Sequence, residues 1–395
     1  MSGPGSYWIG EEEKREVLDV LESGYLFRYG DLNDPSFKRK VYTLEREFAA
    51  YCEVGHALAT SSGTSALYVT LKAMGVGEGD EVIVPAYTFV ATYSAVIFAG
   101  AVPVLAEIDD SLCIDPEDVR KRITPKTKAV LPVHMLGNPC DMNEIADIAE
   151  REGLMILEDA CQACGGSYKG RMLGSIGDMG AFSLNIFKTI TAGDGGIVVT
   201  DNADLYSRAY AYHDQGHTPD RAGVEIGART TLGMNFRANE LTGAVALAQL
   251  RKIDPIIKTL RVKKARLKDA ISGVNGMEFR TLNDPDGDCG TICTVIFDST
   301  ERAARVAREL GTKTVDNSGW HVYANMEHVG EYLESIGRPH GRGAYPKTDD
   351  ILSRSINLSV GVVDGGLGAG FGINIESTDE EIASTAERFV RACGM

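Results

Sequence analysis

At 395 residues, of which 44% are hydrophobic and 24% charged, the chain has the composition of a folded protein and is long enough for a large domain and a smaller one. A formal net charge of -16 would repel phosphodiester backbones, so we expect no nucleic acid partner. The first residues lack a basic segment followed by an apolar run, which predicts no signal peptide and a cytoplasmic protein.

In chain order, a helical N-terminal arm (11–24) and an amphipathic helix (40–51) precede short apolar runs that alternate with helical patterns. This alternation predicts an α/β fold with a mostly parallel sheet covered on both faces. The predicted strands lie at residues 81–84, 102–105, 127–133, 154–158, 179–183 and 195–199. The predicted helices between them lie at residues 64–74, 89–99, 115–121, 141–151 and 202–212.

Residues 82–106 carry no charge over a length that could cross a bilayer. Pro85, Gly100 and Pro103 divide this stretch into a strand, a helix and a strand. That is the pattern of a βαβ unit buried on both faces, so we expect protein core here and no membrane span.

Residues 238–273 form a long helical pattern that Pro255 divides, and we interpret it as a bridge between domains. The sequence thus predicts an N-terminal arm with a large domain at 1–250 and a small α/β domain at 251–395. The later predicted elements are strands at 291–297, 313–315 and 356–360 and helices at 300–310 and 378–392.

The glycine-rich segment 361–372 lacks the spacing of a dinucleotide-binding loop and a helix that could receive a phosphate. We expect a mobile surface loop here. The alternative is a lid over a site, since long glycine loops sometimes gate one.

Eight cysteines are scattered along the chain, and Cys161 and Cys164 form a CxxC pair. No second pair lies at metal-ligand spacing, and a cytoplasmic chain of this size does not need disulfides. We therefore predict free buried thiols and no metal site.

Three segments carry residues suited to chemistry, and the first is Ser61 to Leu67, SSGTSAL. Small residues run directly into a predicted helix, whose first N–H groups and positive dipole end can bind a phosphate. Serine and threonine also cap helices routinely, so a plain N-cap remains the alternative for this segment alone.

The second segment is LMILEDACQ, an apolar strand that delivers Asp159 at its carboxyl end. Open α/β sheets place their ligands at this edge. Asp159 could cap the next helix instead. The third segment, GAFSLNIFKT, places Lys188 among apolar and small residues ahead of a glycine turn. A desolvated lysine in such a setting can act as a nucleophile that forms a Schiff base, although most lysines are simply solvated.

A phosphate site, a carboxylate and a buried lysine together are typical of an enzyme that uses pyridoxal phosphate (PLP). The carboxylate would keep the pyridine nitrogen protonated, so that the ring can accept electrons. The order and spacing of SSGTSAL, EDACQ, FSLNIFK and LGMNFRANEL resemble the DegT/StrS family of sugar aminotransferases. VIVPAYTFVAT and GGSYKGRMLGSIGD add to the resemblance, which covers nearly all of residues 1–270.

The resemblance implies an aspartate-aminotransferase-like fold (PLP fold type I), with a mostly parallel seven-stranded sheet in the large domain and a small α/β C-terminal domain. It implies that Lys188 carries the cofactor and that Asp159 contacts its pyridine nitrogen. A homodimer with shared active sites is implied too. The remaining implied cofactor-binding residues are Gly63, Thr64, Ser65 and Ser183 at the phosphate, Phe89 on the ring face, Gln162 near the ring hydroxyl and Asn235 at the partner's phosphate.

The implied activity is transfer of an amino group from glutamate or glutamine to a keto sugar, with Lys188 as general acid and base. A minority of the family are dehydratases in which histidine replaces this lysine, so the retained Lys188 favours transamination. The alternatives are a PLP-dependent sugar dehydratase and a PLP-binding regulator that lacks catalysis.

The chain is also similar to family members that aminate a keto-octulosonate, through LFRYG near the N-terminus, EDACQACGGSYKG, and the later segments SGWH and YPKTDDILSR. A nucleotide-linked keto sugar is the other implied substrate. Trp320, His321 and Tyr323 could face a sugar, or could pack in the core. The other histidines that could contribute to a pocket are His134, His213 and His217.

Overall fold

The computed structural model describes residues 2–221 and 228–394. Three sheets organise these residues: a seven-stranded sheet built from the first 200 residues, a four-stranded sheet built after residue 276, and a two-stranded hairpin at residues 167–172. The helices are α1 Pro4–Tyr7, α2 Glu11–Ser23, α3 Lys40–Tyr51, α4 Gly63–Ala73, α5 Val90–Phe98, α6 Pro116–Arg122, α7 Met142–Glu152, α8 Ala203–His213, α9 Glu240–Leu250, α10 Ile253–Ile271, α11 Thr300–Leu310, α12 Glu327–Ser335, α13 Pro346–Ser353 and α14 Asp379–Gly394.

The strands are β1 His56–Thr60, β2 Glu81–Pro85, β3 Val102–Ala106, β4 Thr127–Val130, β5 Met155–Asp159, β6 Ser167–Tyr168, β7 Arg171–Met172, β8 Met179–Ser183, β9 Gly196–Thr200, β10 Met277–Phe279, β11 Ile292–Phe297, β12 Ser355–Ser359 and β13 Phe371–Gly372. We call the seven-stranded sheet, in the order β1-β9-β8-β5-β4-β2-β3, the large sheet. We call the four-stranded sheet, in the order β10-β11-β12-β13, the small sheet.

Strand direction in the large sheet positions the site. The neighbours β8-β5-β4-β2-β3 pair in parallel, and β9 pairs antiparallel with both β8 and β1. Six strands therefore run in one direction and β9 alone runs against them. The carboxyl ends of those six strands meet at one edge of the sheet, as the prediction of a mostly parallel seven-stranded sheet requires.

Most of these strands are buried on both faces, which explains their composition. Strands β2 (EVIVP), β8 (MGAFS) and β9 (GIVVT) are buried at every position. A strand covered by helices on both faces needs apolar or small side chains in succession, and β-branched residues suit the pleated surface. The uncharged stretch 82–106 is β2, α5 and β3, so its prediction as a buried βαβ unit is confirmed.

Of the described helices, none combines the length and the apolar character that a bilayer crossing requires. The eight cysteines are free thiols, and seven of them are buried as predicted. The exception is Cys161, which is partly exposed.

The sequence predictions fail at particular places. The predicted strand at 313–315 is wrong, because a 3₁₀ turn begins at Val315. The prediction of a surface loop at 361–372 is also wrong: Leu367 and Ala369 are buried and β13 joins the small sheet. Strand β1 was not predicted, because it has only five residues and these include the polar His56 and Thr60.

The N-terminal residues pack against the loop that carries Lys188. The Gly3 N–H donates to the Ile186 carbonyl at 2.9 Å. A Cβ at position 3 would lie 2.2 Å from the Phe187 carbonyl carbon and 2.6 Å from the Lys188 carbonyl oxygen. Glycine is required here because the two backbones approach more closely than a side chain allows.

We predict that Gly3→Ala lowers the free energy of unfolding by about 1–3 kcal/mol, because the added methyl must displace backbone in a packed region. Thermal or urea unfolding would measure this change.

The matched control is Gly330→Ala, because Gly330 lies inside α12 with open space around its Cα. This variant should gain about 0.5–1 kcal/mol from alanine's higher helix propensity. Equal stabilities for the Gly3 variant and the unmodified chain would show that the N-terminal contact does not form.

Candidate functional site

A cavity of about 590 Å³ opens at the carboxyl edge of the large sheet and is closed on its other side by residues that follow β10. Its wall brings together seven residues that the sequence analysis assigned to the cofactor. These residues are Gly63, Thr64, Phe89, Asp159, Gln162, Ser183 and Lys188.

The amino end of α4 forms one end of the cavity. Ser62 caps this helix: its hydroxyl accepts the Ser65 N–H at 3.0 Å, and the Ser65 hydroxyl accepts the Ser62 N–H at 2.9 Å. The N–H groups of Gly63 and Thr64 are the first two of the helix and lie at the cavity wall. A helix start with exposed donors is suited to an anion.

Ser183, at the end of β8, lies next to Gly63, since a Cβ on Gly63 would be 3.1 Å from the Ser183 hydroxyl oxygen. Ser65 is 4% exposed, is used in the cap and does not line the cavity. Its place at a phosphate stays a prediction, and the geometry favours Gly63, Thr64 and Ser183 for that role.

Asp159 ends β5, and hydrogen bonds hold its buried carboxylate from two sides. Oδ2 accepts from the Thr92 hydroxyl at 2.9 Å, and Oδ1 accepts from the Cys161 N–H at 3.1 Å. The Thr92 oxygen is in turn 2.8 Å from the Thr88 hydroxyl. These two donors fix the orientation of the carboxylate.

The preceding residue, Glu158, points to the other face of β5, because successive side chains in a strand alternate. It is fully buried and accepts N–H groups from Gly174, Ile176 and Gly177 at 2.6–2.9 Å. His134 Nε2 lies 2.9 Å from the same carboxylate. The two adjacent acids therefore have different roles. Glu158 holds the turn at residues 174–177 by hydrogen bonds, and Asp159 faces the cavity.

Lys188 lies on the loop that leaves β8. The loop is held by Asn185, whose carbonyl accepts the Lys188 N–H at 2.9 Å and whose side-chain amide donates to Asp194 at 3.0 Å. With Gly3 packed behind it, this loop presents Lys188 to the cavity as a partly buried amine.

Phe89 caps α5 and is 38% exposed, so its ring is available at the cavity wall. Its loop is paired with a later segment: the Thr88 N–H donates to the His321 carbonyl at 2.9 Å and the Val90 N–H donates to the Trp320 carbonyl at 3.0 Å. The Phe89 and His321 rings lie 5.1 Å apart.

Of the three residues that could face a sugar, Trp320 and His321 line the cavity, whereas Tyr323 is buried and its hydroxyl donates to Asp349. Burial, and then the nearby charge of Lys188, lower the pKa of His321 to about 3. The imidazole is therefore neutral near pH 7 and can serve as a hydrogen-bond donor and acceptor. The other considered histidines, His134, His213 and His217, are buried and do not line the cavity.

Gln162 lines the cavity beside Leu136, and its side-chain oxygen accepts the Leu136 N–H at 3.1 Å. Asn235 is exposed and does not line this cavity. It lies on a segment that pairs with Asp214, and Arg237 in that segment is bonded to the Asp214 carboxylate. Within one chain, Asn235 therefore lies apart from the residues that line the cavity.

Sequence reasoning missed several residues of the site. Thr92 had a signal, since two threonines one helical turn apart at the start of α5 can face the same strand end. Thr291 and Asp364 line the cavity from the later part of the chain, where the sequence offered no motif. Asp364 shows that the glycine-rich segment forms part of the cavity wall.

These residues fit PLP. The helix start and Ser183 suit the phosphate, the oriented Asp159 carboxylate suits the pyridine nitrogen, and Phe89 offers an aromatic face for the ring. Lys188 supplies the amine that the aldehyde requires. Gly63 leaves room where a side chain would meet Ser183 and Cys161.

Two described proteins are similar to this chain in amino-acid sequence. The chain is 36% identical over 360 residues to the spore coat polysaccharide biosynthesis protein SpsC of Bacillus subtilis, a match that covers 89% of this chain and 90% of that protein. It is 38% identical over 243 residues to a GDP-perosamine synthase of Caulobacter vibrioides, which covers 61% of this chain and 62% of that protein. The chain thus spans less than two thirds of the synthase.

Solved structures agree along nearly the whole chain. DesV of S. venezuelae, solved in complex with a ketimine intermediate, superposes with a TM-score of 0.81 at 28% identity over 97% of this chain and 95% of DesV. The 3-amino-5-hydroxybenzoic acid synthase has a TM-score of 0.81 at 28% identity, over 98% of this chain and 97% of the synthase.

The model of the DegT/DnrJ/EryC1/StrS aminotransferase family matches residues 8–363. This match and the superpositions confirm the predicted type I fold, the aminotransferase class and PLP as the cofactor. The chain belongs to the DegT/DnrJ/EryC1/StrS aminotransferase family.

Proposed function

We propose that this chain transfers an amino group from glutamate or glutamine to a keto sugar in amino-sugar biosynthesis, with PLP held on Lys188. The observation that carries the proposal is one cavity lined by a lysine, a hydrogen-bonded aspartate, an aromatic ring and the start of α4. Relatives described as a perosamine synthase and a spore coat polysaccharide protein support a sugar substrate.

When bound, PLP supplies an aldehyde that captures amines and a ring that accepts electrons. Asp159 would hold a proton on the pyridine nitrogen, because its oriented carboxylate stabilises the positive ring. Lys188 Nζ would hold the cofactor at rest and, once displaced by the amino donor, would move a proton at the donor's α carbon. Lys188 is partly buried at the wall of the cavity.

The lining of the cavity suits a polyol. Trp320 is 61% exposed and provides an aromatic surface, and the same lining includes hydrogen-bonding groups from His321, Asn185 and Asp364. A neutral His321 matches hydroxyl groups, which both donate and accept. Both substrate types, a nucleotide-linked keto sugar and a keto-octulosonate, carry such hydroxyls.

The charge of the cavity supports a shared site. Its lining contains the lysine at 188 and three carboxylates, Asp159, Asp194 and Asp364. The cofactor phosphate and the carboxylates of a glutamate donor are anionic, so they call for further donors. We propose that a second copy of the chain supplies Asn235, making a homodimer with shared sites.

The segment around Asn235 is held by backbone hydrogen bonds and carries exposed side chains, as an interface requires. The Ser61 N–H donates to the Phe236 carbonyl at 2.7 Å and the Met234 N–H donates to the Tyr212 carbonyl at 2.9 Å. Leu232 is 95% exposed and Met234 is 58% exposed. Large apolar side chains at such exposure suit burial against a partner.

We also propose that the protein works in the cytoplasm.

We further propose that the chain divides into two domains, residues 1–250 and residues 251–395. The gap between α9 and α10 supports the boundary, because the large sheet precedes it and the small sheet follows it.

We predict that Lys188→Ala abolishes turnover and the yellow absorbance of the bound cofactor, because the amine that binds the aldehyde is lost. Borohydride treatment and peptide mass spectrometry should find reduced cofactor on Lys188 of the unmodified protein. The control Lys128→Ala removes an exposed lysine and should behave like the unmodified protein. Cofactor found on another lysine would overturn the assignment. Release of neither 2-oxoglutarate from glutamate nor 2-oxoglutaramate from glutamine would instead indicate a dehydratase.

We predict that Asp159→Asn retains PLP but lowers kcat on the order of 10- to 100-fold, the value of a hydrogen bond to a charged group. Thr92→Val, which removes one donor to this carboxylate, should lower kcat about fivefold. Steady-state kinetics with a chosen keto sugar would measure both. Full activity of the asparagine variant would mean that another group protonates the ring.

We predict that mixing inactive Lys188→Ala with inactive Asn235→Ala restores part of the activity. A mixed dimer would contain one cavity with both an intact lysine and an intact partner asparagine. Activity measured after subunit exchange would test this, and each variant incubated alone is the control. No recovery despite proven exchange would contradict a shared site.

A further inference from the structure

A strained turn crosses the cavity wall between β4 and α7. Leu136, in the 3₁₀ turn Met135–Gly137, has a φ of 57° and a ψ of 32°, the left-handed conformation that a branched side chain disfavours. Leu136 also lines the cavity and is 2% exposed. A strained residue persists where its surroundings hold it, and such residues concentrate at functional sites.

Arg280, which follows β10 of the small sheet, holds this turn. Nη1 donates to the Met135 carbonyl at 2.9 Å and Nη2 donates to the Leu136 carbonyl at 3.0 Å. The Thr291 hydroxyl donates to the same Leu136 carbonyl at 3.1 Å. The Arg280 side chain is 2% exposed, and its Nη2 forms an ion pair with Asp288 Oδ1 at 3.6 Å, a separation longer than a hydrogen bond. The two hydrogen bonds of the guanidinium are therefore both directed at the turn.

The other side of Leu136 faces the proposed cofactor position. Its N–H donates to Gln162 Oε1 at 3.1 Å. Because a backbone N–H can only donate, the Gln162 oxygen must face Leu136. The NH₂ group of the Gln162 amide is then not used by Leu136. Because Gln162 lines the cavity, this NH₂ group is left for a ligand. The turn thus sets which end of the amide is available to a ligand.

We propose that Arg280 is a positioning residue that acts through Leu136 to aim the Gln162 NH₂ at the ring oxygen of PLP. This inference rests on the proposed function, in which Gln162 lies near the ring hydroxyl. Arg280 clamps the carbonyls of the turn, the clamp holds Leu136 left-handed, and the Leu136 N–H fixes the amide. Arg280, from the small-sheet region, would thereby ensure that the Gln162 amide presents a donor, and not an acceptor, to the ring oxygen of PLP.

The test is a pH titration of the cofactor absorbance in the holoenzyme, which does not depend on turnover. An N–H donor to the ring oxygen stabilises its negative charge and so favours the deprotonated cofactor. Loss of that donor raises the pH midpoint, on the order of one unit. We expect this rise in Gln162→Ala and in Arg280→Met, a smaller rise in Arg280→Lys, and no further rise when the first two changes are combined.

Asn283→Ala is the matched control. Asn283 donates to the Pro139 carbonyl at 3.0 Å, so it bonds to the same segment from the small-sheet region and not to the Leu136 carbonyl, which accepts from Arg280 and Thr291. Its loss should lower thermal stability and leave the midpoint unchanged. If Arg280→Met does not fold, Thr291→Val removes the other donor to the Leu136 carbonyl and should raise the midpoint in the same direction.

The outcomes separate the two proposals. Absence of a cofactor band in the unmodified protein would defeat the proposed function. An unchanged pH midpoint of the cofactor absorbance in Gln162→Ala would show that Gln162 does not donate to the ring oxygen. The positioning role of Arg280 would then fail as well. If Gln162→Ala shifts the midpoint while Arg280→Met and Thr291→Val change stability only, or if the shifts add in the double variant, the positioning role of Arg280 is overturned.

Discussion

The common direction of six strands in the large sheet is the constraint on which the site depends. Parallel strands end at the same edge, so segments that are far apart in the chain are brought together there: the start of α4 after β1, Phe89 after β2, Asp159 on β5 and Lys188 after β8. Helices must cover both faces of such a sheet, which leaves this edge as the opening for a ligand. After the lysine loop, strand β9 runs back antiparallel to β8.

The residues at that edge are held by hydrogen bonds from behind. Thr92 and the Cys161 N–H orient Asp159, Asn185 shapes the lysine loop, and Gly3 closes the rear of that loop. The later part of the chain supplies the second wall, through backbone pairing of 320–321 with 88–90 and through the clamp of Arg280 on the turn at Leu136. The Asp159 carboxylate and the Gln162 amide are thus oriented by the protein itself, which lowers the cost of ordering them when a ligand binds.

The sequence predicted the regular elements of the large sheet well, because buried strands and amphipathic helices have distinct apolar periods. It missed β1 because that strand is short and includes His56 and Thr60. It placed a strand at 313–315 because a short β-branched run does not distinguish a strand from an extended segment that enters a 3₁₀ turn. The glycine-rich segment read as a surface loop because glycine content reports backbone freedom and not burial, whereas Leu367 and Ala369 are in fact buried.

By itself the sequence determined the fold class, the family and the residues that follow each strand, including Lys188, Asp159, Phe89 and Gly63, because these depend on local pattern and on order along the chain. Only the tertiary structure decided which side chains meet. The contact of Thr92 with Asp159 spans 67 positions, and that of Arg280 with Leu136 spans 144. Such contacts depend on how strands and turns pack in three dimensions, and local periodicity carries no record of that packing.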